Sequence, residues 1–246
     1  MKRIFILLFM AFSCQIIIAQ GKINRLSSDG VPEPIQSQAN LQYKAPKNLS
    51  LATVNYNGGR EYFTIDDWEA IPKSRRDLYK KIGVCIIENG HSFIIAGKDA
   101  AKGELSWWNH QDGLVPGLRC YATKETAIHD FDGRNNTLKL NAVNSPSSLA
   151  ASRFEAFQGD NTNWYLPACG QLWIISQNVF AINRALNNFG LERFHLPPSY
   201  NSSTQMGVER YFDRSYSWGW GVNLSSTGVY KYGGCNNDYV RSIADL

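Results

Sequence analysis

Two runs of apolar residues separated by a polar dipeptide form the strongest pattern along the chain. Residues 84–88 and 91–96 are mostly Val, Ile, Phe and Ala, and Asn89-Gly90 lies between them. Asn-Gly suits both left-handed positions of a type I′ turn, whose twist matches that of the flanking strands. The pattern therefore predicts a β-hairpin. Because apolar residues occupy both faces of each strand, we expect a sheet that is covered on both sides.

The spacing of apolar residues predicts two helices. One begins at Ser145, because serine is a favoured N-cap and Pro146 suits the first helical position, and we expect it to carry Phe154 and Phe157. A longer helix is predicted from about residue 171 to residue 189. Its apolar residues recur at spacings of three and four, namely Leu172, Ile175, Val179, Ile182 and Leu186.

Beyond residue 198 the hydrophobic pattern changes to a period of two. In residues 218–224, large apolar side chains alternate with glycine or asparagine. This alternation predicts a strand with one heavy apolar face and one nearly bare face. A turn at residues 225–228 leads to a strand at 229–232, and a last strand is predicted at 239–243. Strands, two helices and further strands with long loops predict an α+β domain.

The amino terminus has the pattern of an export signal. Two basic residues precede a short apolar stretch that ends at Ala19, and a polar segment follows. This order is typical of a secretory signal peptide, so we expect residues 1–19 to be removed. The alternative is lipoprotein processing with a lipid anchor at Cys14, because the residues before it loosely resemble a lipobox. In both cases we expect an exported protein that is periplasmic, on the outer-membrane surface or secreted.

Composition separates a spacer from a single domain. Residues 20–58 are rich in Ser, Gln and Asn with scattered Pro, which is typical of a loosely ordered spacer. Residues 59–246 are rich in aromatic side chains and are numerous enough to build one domain with a hydrophobic core. After the signal, no stretch is long and apolar enough to predict a transmembrane helix.

Charge and cysteine content narrow the possible partners and chemistry. The formal net charge is +4, two of these positive charges belong to the signal, and the chain has no long basic run. We therefore expect no nucleic-acid partner. The four cysteines after the signal predict disulfides in an oxidising compartment, with buried free thiols as the alternative. These disulfide candidates are Cys85, Cys120, Cys169 and Cys235.

A set of short motifs resembles one known family. Residues 164–172 read Trp-Tyr-Leu-Pro-Ala-Cys-Gly-Gln-Leu, residues 200–204 read Tyr-Asn-Ser-Ser-Thr, and residues 239–241 read Tyr-Val-Arg. They resemble the W-x-L-P-[ST]-x-G-E-L, Y-W-S-S-T and Y-V-R motifs of exported bacterial proteins with a C-type-lectin-like fold. These proteins are related in architecture to the formylglycine-generating enzyme and to the variable proteins of diversity-generating retroelements. The resemblance covers about residues 60–246.

The resemblance implies a C-type-lectin-like binding domain. Such a domain has a small mixed or antiparallel sheet, two helices and long loops, and it presents its loops and last strands as a ligand surface. Two positions depart from the family pattern, because Asn201 stands where tryptophan is usual and Cys169 where a small residue is common. The fold alone does not identify the ligand.

We expect the ligand surface to lie on the carboxyl-terminal strands and their loop. Tyrosine supplies wide and rigid contact area, while Ser, Gly and Asn supply adaptable hydrogen bonds. Such a surface suits a protein or a glycan at the cell surface. The predicted ligand-binding residues are Asn201, Tyr216, Tyr230, Tyr232, Asn236, Asn237 and Asp238. For each tyrosine, ordinary packing within a strand is the alternative.

The composition of residues 230–239 also suggests how such a surface could vary. Its Tyr, Gly, Cys, Asn and Asp residues are all reached from an Asn codon by changing adenines alone, and residues 215–217 fit the same pattern. Adenine-directed mutagenesis would produce this composition. An ordinary polar loop is the alternative, because Gly, Asn and Asp are common in loops. A near-identical template copy beside a reverse transcriptase gene would support diversification.

The sequence predicts no catalytic residue, metal or cofactor. The four histidines have no mutual metal-ligand spacing, and no nucleophile elbow is present. Residues 130–136 faintly resemble a calcium loop, but an Asx turn fits their spacing better. Formylglycine chemistry relies on a close cysteine pair near the carboxyl end, and Cys235 has no close partner. We expect a noncatalytic binding protein; a tip or structural component of a surface assembly, or an enzyme on the same scaffold, are the alternatives.

Overall fold

The chain folds as a mixed α+β structure, as predicted. It has two antiparallel sheets, whereas the prediction was one small sheet. The computed structural model describes residues 48–103, 105–108, 113–196, 199–211, 214–226, 228–232 and 238–246, with backbone alone for strand residues 209–211, 214–216 and 231–232. Within these ranges, no helix has the length and apolar character needed to cross a membrane.

The larger sheet has five strands in the order β2-β1-β3-β4-β8, and all neighbours are antiparallel. Its strands are β1 Ser50–Asn55, β2 Arg60–Phe63, β3 Tyr79–Glu88, β4 His91–Ala96 and β8 Ile243–Ala244. Asn89 (φ 51°) and Gly90 (φ 80°) form the turn between β3 and β4. Two consecutive left-handed residues are what a type I′ turn requires, so the predicted hairpin is confirmed.

Strand β1 lies inside the segment that the sequence assigned to the spacer. It pairs with β2 on one side and β3 on the other, and its Leu51 is fully buried. The predicted boundary at residue 59 is therefore too late, because residues 50–55 form an inner strand of the domain. Half of the strand is polar, and Ser50 and Thr53 are themselves buried. This composition hides the alternation by which strands are predicted.

Both faces of the five-stranded sheet are covered, as the apolar pattern predicts. Val84 and Ile86 of β3 face one hydrophobic cluster, whereas Cys85 between them faces another. Strand β4 divides in the same way, with Ile95 in the first cluster and Ile94 in the second. Residues that alternate between two cores need apolar side chains at every position, which explains the continuous apolar run.

Six helices occur in the described residues. They are α1 Ile65–Ala70, α2 Lys73–Arg76, α3 Lys124–Ala127, α4 Gly133–Ala142, α5 Pro146–Ser152 and α6 Cys169–Asn188. Helix α5 begins as predicted, because the Ser145 side chain accepts a hydrogen bond from the Ser148 amide. It ends at Ser152, so Phe154 and Phe157 lie beyond it. Helix α4 was not predicted, because its mostly polar sequence carries no apolar stripe.

Helix α6 matches the predicted long helix and begins two residues earlier than expected. Its apolar stripe lies in the first hydrophobic cluster, against one face of the five-stranded sheet and against the heavy face of the smaller sheet. Gly190 follows the helix with φ 67°. A left-handed glycine is a common way to end a helix.

The smaller sheet contains β5 Ser199–Tyr211, β6 Arg214–Asn223 and β7 Gly228–Tyr232, in that order. Trp220, Val222 and Leu224 point into the first hydrophobic cluster, which confirms the predicted heavy face for these three residues, whereas Trp218 lies outside the cluster. Strand β5 shifts register against β6 between Asn201 and Gln205 and again before Gly207. These bulges allow a 13-residue strand to pair with a 10-residue partner.

The cysteines do not form the predicted disulfides in the part of the chain that the structure describes. Cys85 and Cys169 are buried free thiols, and Cys120 is an exposed free thiol. Cys85 lies in the second hydrophobic cluster and Cys169 in the first, so the two thiols belong to different faces of the five-stranded sheet. The disulfide expectation is corrected for these three cysteines, whereas Cys235 lies outside the described residues.

Candidate functional site

The bare face of β6 is filled by aromatic rings. A Cβ added at Gly219 would lie 2.7 Å from atoms of the Trp107 ring, and one at Gly221 would lie 2.6 Å from Tyr230 Oη. Tyr230 is the cross-strand partner of Gly221, so its ring extends over that glycine. Trp107 is buried, and its Nε1 donates to the Ser202 carbonyl at 2.9 Å. The two glycines thus allow rings to pack directly on the strand backbone.

Three of the predicted ligand-binding residues belong to this internal packing. Asn201 is buried, and its Nδ2 donates to Ser147 Oγ at 2.9 Å. Asp238 is also buried, and its Oδ2 accepts a 2.7 Å hydrogen bond from Tyr230 Oη. The assignment of Asn201 and Asp238 to the ligand surface is therefore corrected, since both side chains face partners inside the protein. Tyr230 is half-buried against the cluster around Trp107 and supports the sheet.

The remaining four residues stay a prediction. Tyr216 lies opposite Glu209 in the β5–β6 ladder, and Tyr232 lies opposite Gly219 at the end of β7. These positions are known from the backbone, but the two side chains are not described. Asn236 and Asn237 lie outside the described residues.

The β5–β6 hairpin extends beyond the third strand of its sheet. Strand β7 pairs with β6 only as far as Gly219, whereas the β5–β6 ladder continues from Gly207↔Trp218 to Tyr211↔Arg214. We call this outer part, residues 207–211 and 214–218, the distal hairpin. No third strand pairs with it among the residues that the structure covers. Val208, in its middle, is exposed, whereas residues 201–205 at the base are buried.

The Tyr-Asn-Ser-Ser-Thr motif forms the bulge at the base of this hairpin. Thr204 Oγ1 donates to Asp130 Oδ2 at 2.8 Å and accepts from the Cys169 amide at 2.7 Å. The Ser203 amide donates to the Pro167 carbonyl at 2.8 Å. The bulge therefore directs the Thr204 hydroxyl and the Ser203 amide inward, and these two groups attach the sheet to the start of helix α6. The Tyr-Asn-Ser-Ser-Thr motif therefore has a structural role in the described residues and does not by itself indicate ligand contact.

Asp130 is the common acceptor at this junction. Its Oδ2 also accepts from Asn136 Nδ2 at 2.9 Å, and its Oδ1 accepts from the Asp132 amide at 3.0 Å. The latter bond is the predicted Asx turn, which is confirmed. A Cβ added at Gly170 would lie 2.6 Å from the Asp130 carbonyl oxygen, so the glycine of the motif is required by close contact. With its oxygens already bonded to protein donors, Asp130 belongs to the framework.

Arg241 of the Tyr-Val-Arg motif makes a buried ion pair beneath the carboxyl-terminal segment. Its Nε donates to Asp99 Oδ1 at 2.6 Å, and neither side chain is exposed. Its Nη1 donates to the carbonyls of Ala96 and Glu192, each at 3.0 Å, and Nη2 to that of Arg193 at 3.1 Å. The guanidinium group thus joins strand β4 to the loop after helix α6. Such a bonded network satisfies a charge that would otherwise be expensive to bury.

A group of titratable side chains lies around this ion pair. His195 Nε2 is 3.3 Å from Glu192 Oε1 and 3.7 Å from Asp99 Oδ2, and Lys102 Nζ is 2.9 Å from Glu192 Oε1. The His195 ring lies against Tyr239, with 4.9 Å between centroids. We call Asp99, Glu192 and His195 the carboxylate–histidine cluster. It combines one fully buried carboxylate with two partly exposed side chains.

The pKa shifts in this cluster reflect burial at Asp99 and ion pairing at Glu192. Burial raises the pKa of Asp99, and Arg241 opposes that rise. Burial alone would raise the pKa of Glu192, but the hydrogen bond from Lys102 and the charge of Arg241 lower it below its ordinary value. The same bond to Glu192 raises the pKa of Lys102. The lowered pKa of Glu192 and the raised pKa of Lys102 are the shifts expected of paired charges, whereas at Asp99 the effect of burial exceeds that of the ion pair with Arg241.

The two buried cysteines, Cys85 and Cys169, are poor nucleophiles. Burial raises the pKa of the Cys85 thiol to about 12 and also raises the pKa of Cys169. A thiol whose pKa is raised in this way carries little thiolate at neutral pH and reacts slowly. Cys120 is exposed, and Gln205 Nε2 lies 3.2 Å from its Sγ. In the described residues, no histidine hydrogen bond to a cysteine is seen that would resemble a catalytic pair.

A cleft of about 440 Å³ is lined by residues of β1, β2 and β3 and by residues within 157–162. Tyr56 at its rim is 73% exposed, and the cations Arg60 and Lys80 contribute to its lining. Its one carboxylate, Asp160, accepts hydrogen bonds from Trp164 Nε1 and from two backbone amides. Tyr56 is far in sequence from the distal hairpin. It therefore provides an exposed control position for substitutions of Tyr216 and Tyr232.

Sequence reasoning missed the carboxylate–histidine cluster. Glu192 and His195 are three residues apart, and this spacing is visible in the sequence. Asp99 is 93 positions before Glu192, and nothing local indicates that the chain brings them together. Only the Arg241 network, which joins both segments, reveals the grouping.

Comparisons of the chain with models of protein families, with curated proteins and with solved structures found no match.

Proposed function

We propose that this chain is an exported, noncatalytic, adhesin-like protein that recognises a protein or a glycan through its distal hairpin and the loop after β7. The observation that carries the proposal is the distal hairpin itself. A two-stranded ribbon is only marginally stable alone, and this one continues past its third strand and leaves Val208 exposed. Its base, in contrast, is fixed by buried hydrogen bonds.

The rigid base supports a role in binding. Thr204 ties β5 to Asp130, and the Trp107 and Tyr230 rings lock β6 against its neighbours. A surface that is held in one conformation before binding loses less entropy when the ligand arrives. The buried residues of the three motifs therefore serve as the platform for the distal hairpin, on which Val208 is exposed.

The sequence of the distal hairpin suits an interface. It contains Tyr211 and Tyr216 together with Arg210, Arg214 and Glu209. Tyrosine and arginine are enriched in the energetically dominant parts of interfaces. Tyr232, Asn236 and Asn237 belong to the adjoining end of β7 and its loop, so they are the further residues that we assign to the surface.

The family resemblance supports the same interpretation. We propose that the α+β domain is C-type-lectin-like and that its last strands and loops form the ligand surface. Adenine-directed diversification of residues 215–217 and 230–239 is compatible with this arrangement. Residues 215–217 belong to the distal hairpin, and Tyr232 pairs with Gly219 next to it.

A structural role in a surface assembly is the second candidate. The edges of the distal hairpin, with which no described strand pairs beyond Gly219, favour it. A strand with unpaired edge groups can accept a strand from another chain. This role predicts concentration-dependent self-association, whereas ligand recognition predicts a monomer that binds a foreign molecule. Sedimentation velocity over a wide concentration range separates the two.

The test is a glycan and protein array probed with the purified protein. Tyr216→Ala and Tyr232→Ala should each weaken binding to the hit by about 30-fold, the effect of removing an aromatic side chain worth about 2 kcal/mol. Tyr56→Ala, which removes a 73% exposed tyrosine at the other cleft, should leave binding unchanged. Thermal unfolding checks that all three variants are folded. Binding that survives both Tyr216→Ala and Tyr232→Ala, or that Tyr56→Ala abolishes, contradicts the proposed surface.

A further inference from the structure

The carboxylate–histidine cluster has the geometry of a three-ligand metal site. One donor atom from each of Asp99, Glu192 and His195 lies within 4.8 Å of the other two. A zinc ion binds imidazole nitrogen and carboxylate oxygen at about 2.0–2.2 Å, so neighbouring ligand atoms on a tetrahedral ion lie about 3.3–3.5 Å apart. The distances from His195 Nε2 to Glu192 Oε1 and Asp99 Oδ2 are 3.3 and 3.7 Å. Small side-chain movements therefore complete the site.

Arg241 holds the ligands in place. It donates to Asp99 Oδ1, which leaves Oδ2 directed toward His195, and it binds the Glu192 carbonyl on the loop that carries the other two ligands. Tyr200 Oη donates a long hydrogen bond of 3.5 Å to Asp99 Oδ2. Partners that orient metal ligands in this way are typical of metal sites.

The donor set indicates the class of metal. Two carboxylates and an imidazole suit zinc and neighbouring first-row divalent ions, whereas calcium and magnesium prefer oxygen ligands alone. The His195 side chain is 43% exposed and Glu192 is partly exposed, so one side of the cluster faces solvent. An ion held by three protein ligands there would keep a position for water or for an incoming group.

Lys102 would compete with a metal ion for the Glu192 carboxylate. Its Nζ lies 2.9 Å from Glu192 Oε1, the oxygen that also faces His195. The Lys102 side chain is 52% exposed on a flexible stem, so it can move into solvent when an ion arrives. Its removal should therefore strengthen metal binding, which a simple ion-pair network would not predict.

We propose that Asp99, Glu192 and His195 form a binding site for a zinc-class divalent ion. Arg241 positions these ligands, and Lys102 competes with the ion for Glu192. This site is independent of the proposed ligand surface on the distal hairpin, so either proposal can fail without the other.

Isothermal titration of the chelator-treated protein with Zn²⁺ tests the site. We expect one ion per chain, with loss of binding in His195→Gln and in Glu192→Gln. Lys102→Ala should bind about two- to tenfold more tightly, because it removes a partly exposed ion pair and one positive charge beside the ion. Lys124→Ala and His129→Gln, which alter other members of the same residue types, should bind like the natural protein.

Two further measurements make the result decisive. The Tm should rise with Zn²⁺ in the natural protein and not in His195→Gln, while Ca²⁺ and Mg²⁺ should have no effect. The Co²⁺-loaded protein should lack a thiolate-to-metal band, and Cys120→Ser should not change the spectrum. Absence of Zn²⁺ binding, binding that survives His195→Gln, or a thiolate band would overturn the proposal.

Discussion

Arg241 Nε donates to Asp99 Oδ1 at 2.6 Å in a region where neither side chain is exposed to solvent. The pair joins the last segment of the chain to the end of β4 and to the loop after helix α6. A buried ion pair adds little net stability over a well-packed apolar pair, but the loss of one partner leaves an uncompensated charge. The Tyr-Val-Arg motif therefore has a structural role, and loss of the Arg241 side chain should lower the stability of the fold.

Arg241→Met should lower the free energy of unfolding by about 3–5 kcal/mol, because it strands the Asp99 carboxylate in the core. Arg134→Met is the matched control, since Arg134 pairs with Asp245 at 2.9 Å on the surface, where both side chains are more than half exposed. That change should cost at most about 1 kcal/mol. Urea denaturation measures both, and equal losses would contradict the role given to burial.

Gly219→Ala should destabilise the protein by about 1–3 kcal/mol, because the new Cβ would lie 2.7 Å from the buried Trp107 ring. Gly228→Ala is the control in the same sheet, where the nearest side-chain atom is Ser226 Oγ at 3.1 Å. We expect a much smaller change there, measured by thermal or urea unfolding. A neutral Gly219→Ala would show that the ring is not held against the strand.

Two neighbouring residues of the bulge should respond in opposite ways. Thr204→Val removes the bonds to Asp130 and to the Cys169 amide, and the loss should be about 1–3 kcal/mol. The Oγ of Ser203 is buried and has no hydrogen-bond partner among the residues described, so Ser203→Ala should be neutral or stabilising. The difference in free energy of unfolding between the two variants is the measurement. A larger loss in Ser203→Ala would contradict this assignment of the bulge.

Acid should weaken the fold through Asp160. Burial alone would raise its pKa, but hydrogen bonds from Thr162, Trp164 and the Ala156 amide lower it below the ordinary 3.8. A lowered pKa in the folded state gives stability that is present above pH 3.8 and is lost as the pH falls through the folded value. Asp160→Asn should therefore reduce stability at neutral pH and flatten its dependence below pH 4. Trp164→Phe, which removes one donor, should flatten it partly; an unchanged slope in Asp160→Asn would contradict the linkage.

Thiol labelling should distinguish the cysteines in the folded protein. Cys120 is exposed and should react rapidly with iodoacetamide, whereas Cys85 and Cys169 should react only after unfolding. Burial raises the pKa of both buried thiols, which adds chemical protection to steric protection. Mass spectrometry with Cys120→Ser as the control should show the loss of one rapid label. Protection of Cys120 under non-reducing conditions would contradict its assignment as a free thiol.

The elements that sequence reasoning predicted are those with strong local signals. The Asn89-Gly90 hairpin, the Ser145 helix start and the stripe of helix α6 follow from spacing alone. Strand β1 and helix α4 were missed, because their buried polar residues satisfy partners that lie elsewhere in the chain. Local patterns cannot show such partners.

The candidate site was harder to predict for the same reason. Tyr230 and Asp238 have the composition of a binding loop, yet they bond to each other across β6. Asn201 occupies a motif position, but the bulge turns it toward Ser147. Long-range contacts decide whether a polar side chain faces solvent or the interior, and a single sequence does not contain them in readable form.

The bulge between Asn201 and Gln205 also sets which way the outer ribbon faces. Side chains alternate along a strand with a period of two, so loss or gain of one residue there would exchange the two sides of strand β5 from Met206 onward. Evolution could thus invert that half of the ribbon with one codon while every side chain keeps its identity. A change of length in this short stretch would alter what the ribbon displays more than any substitution within it.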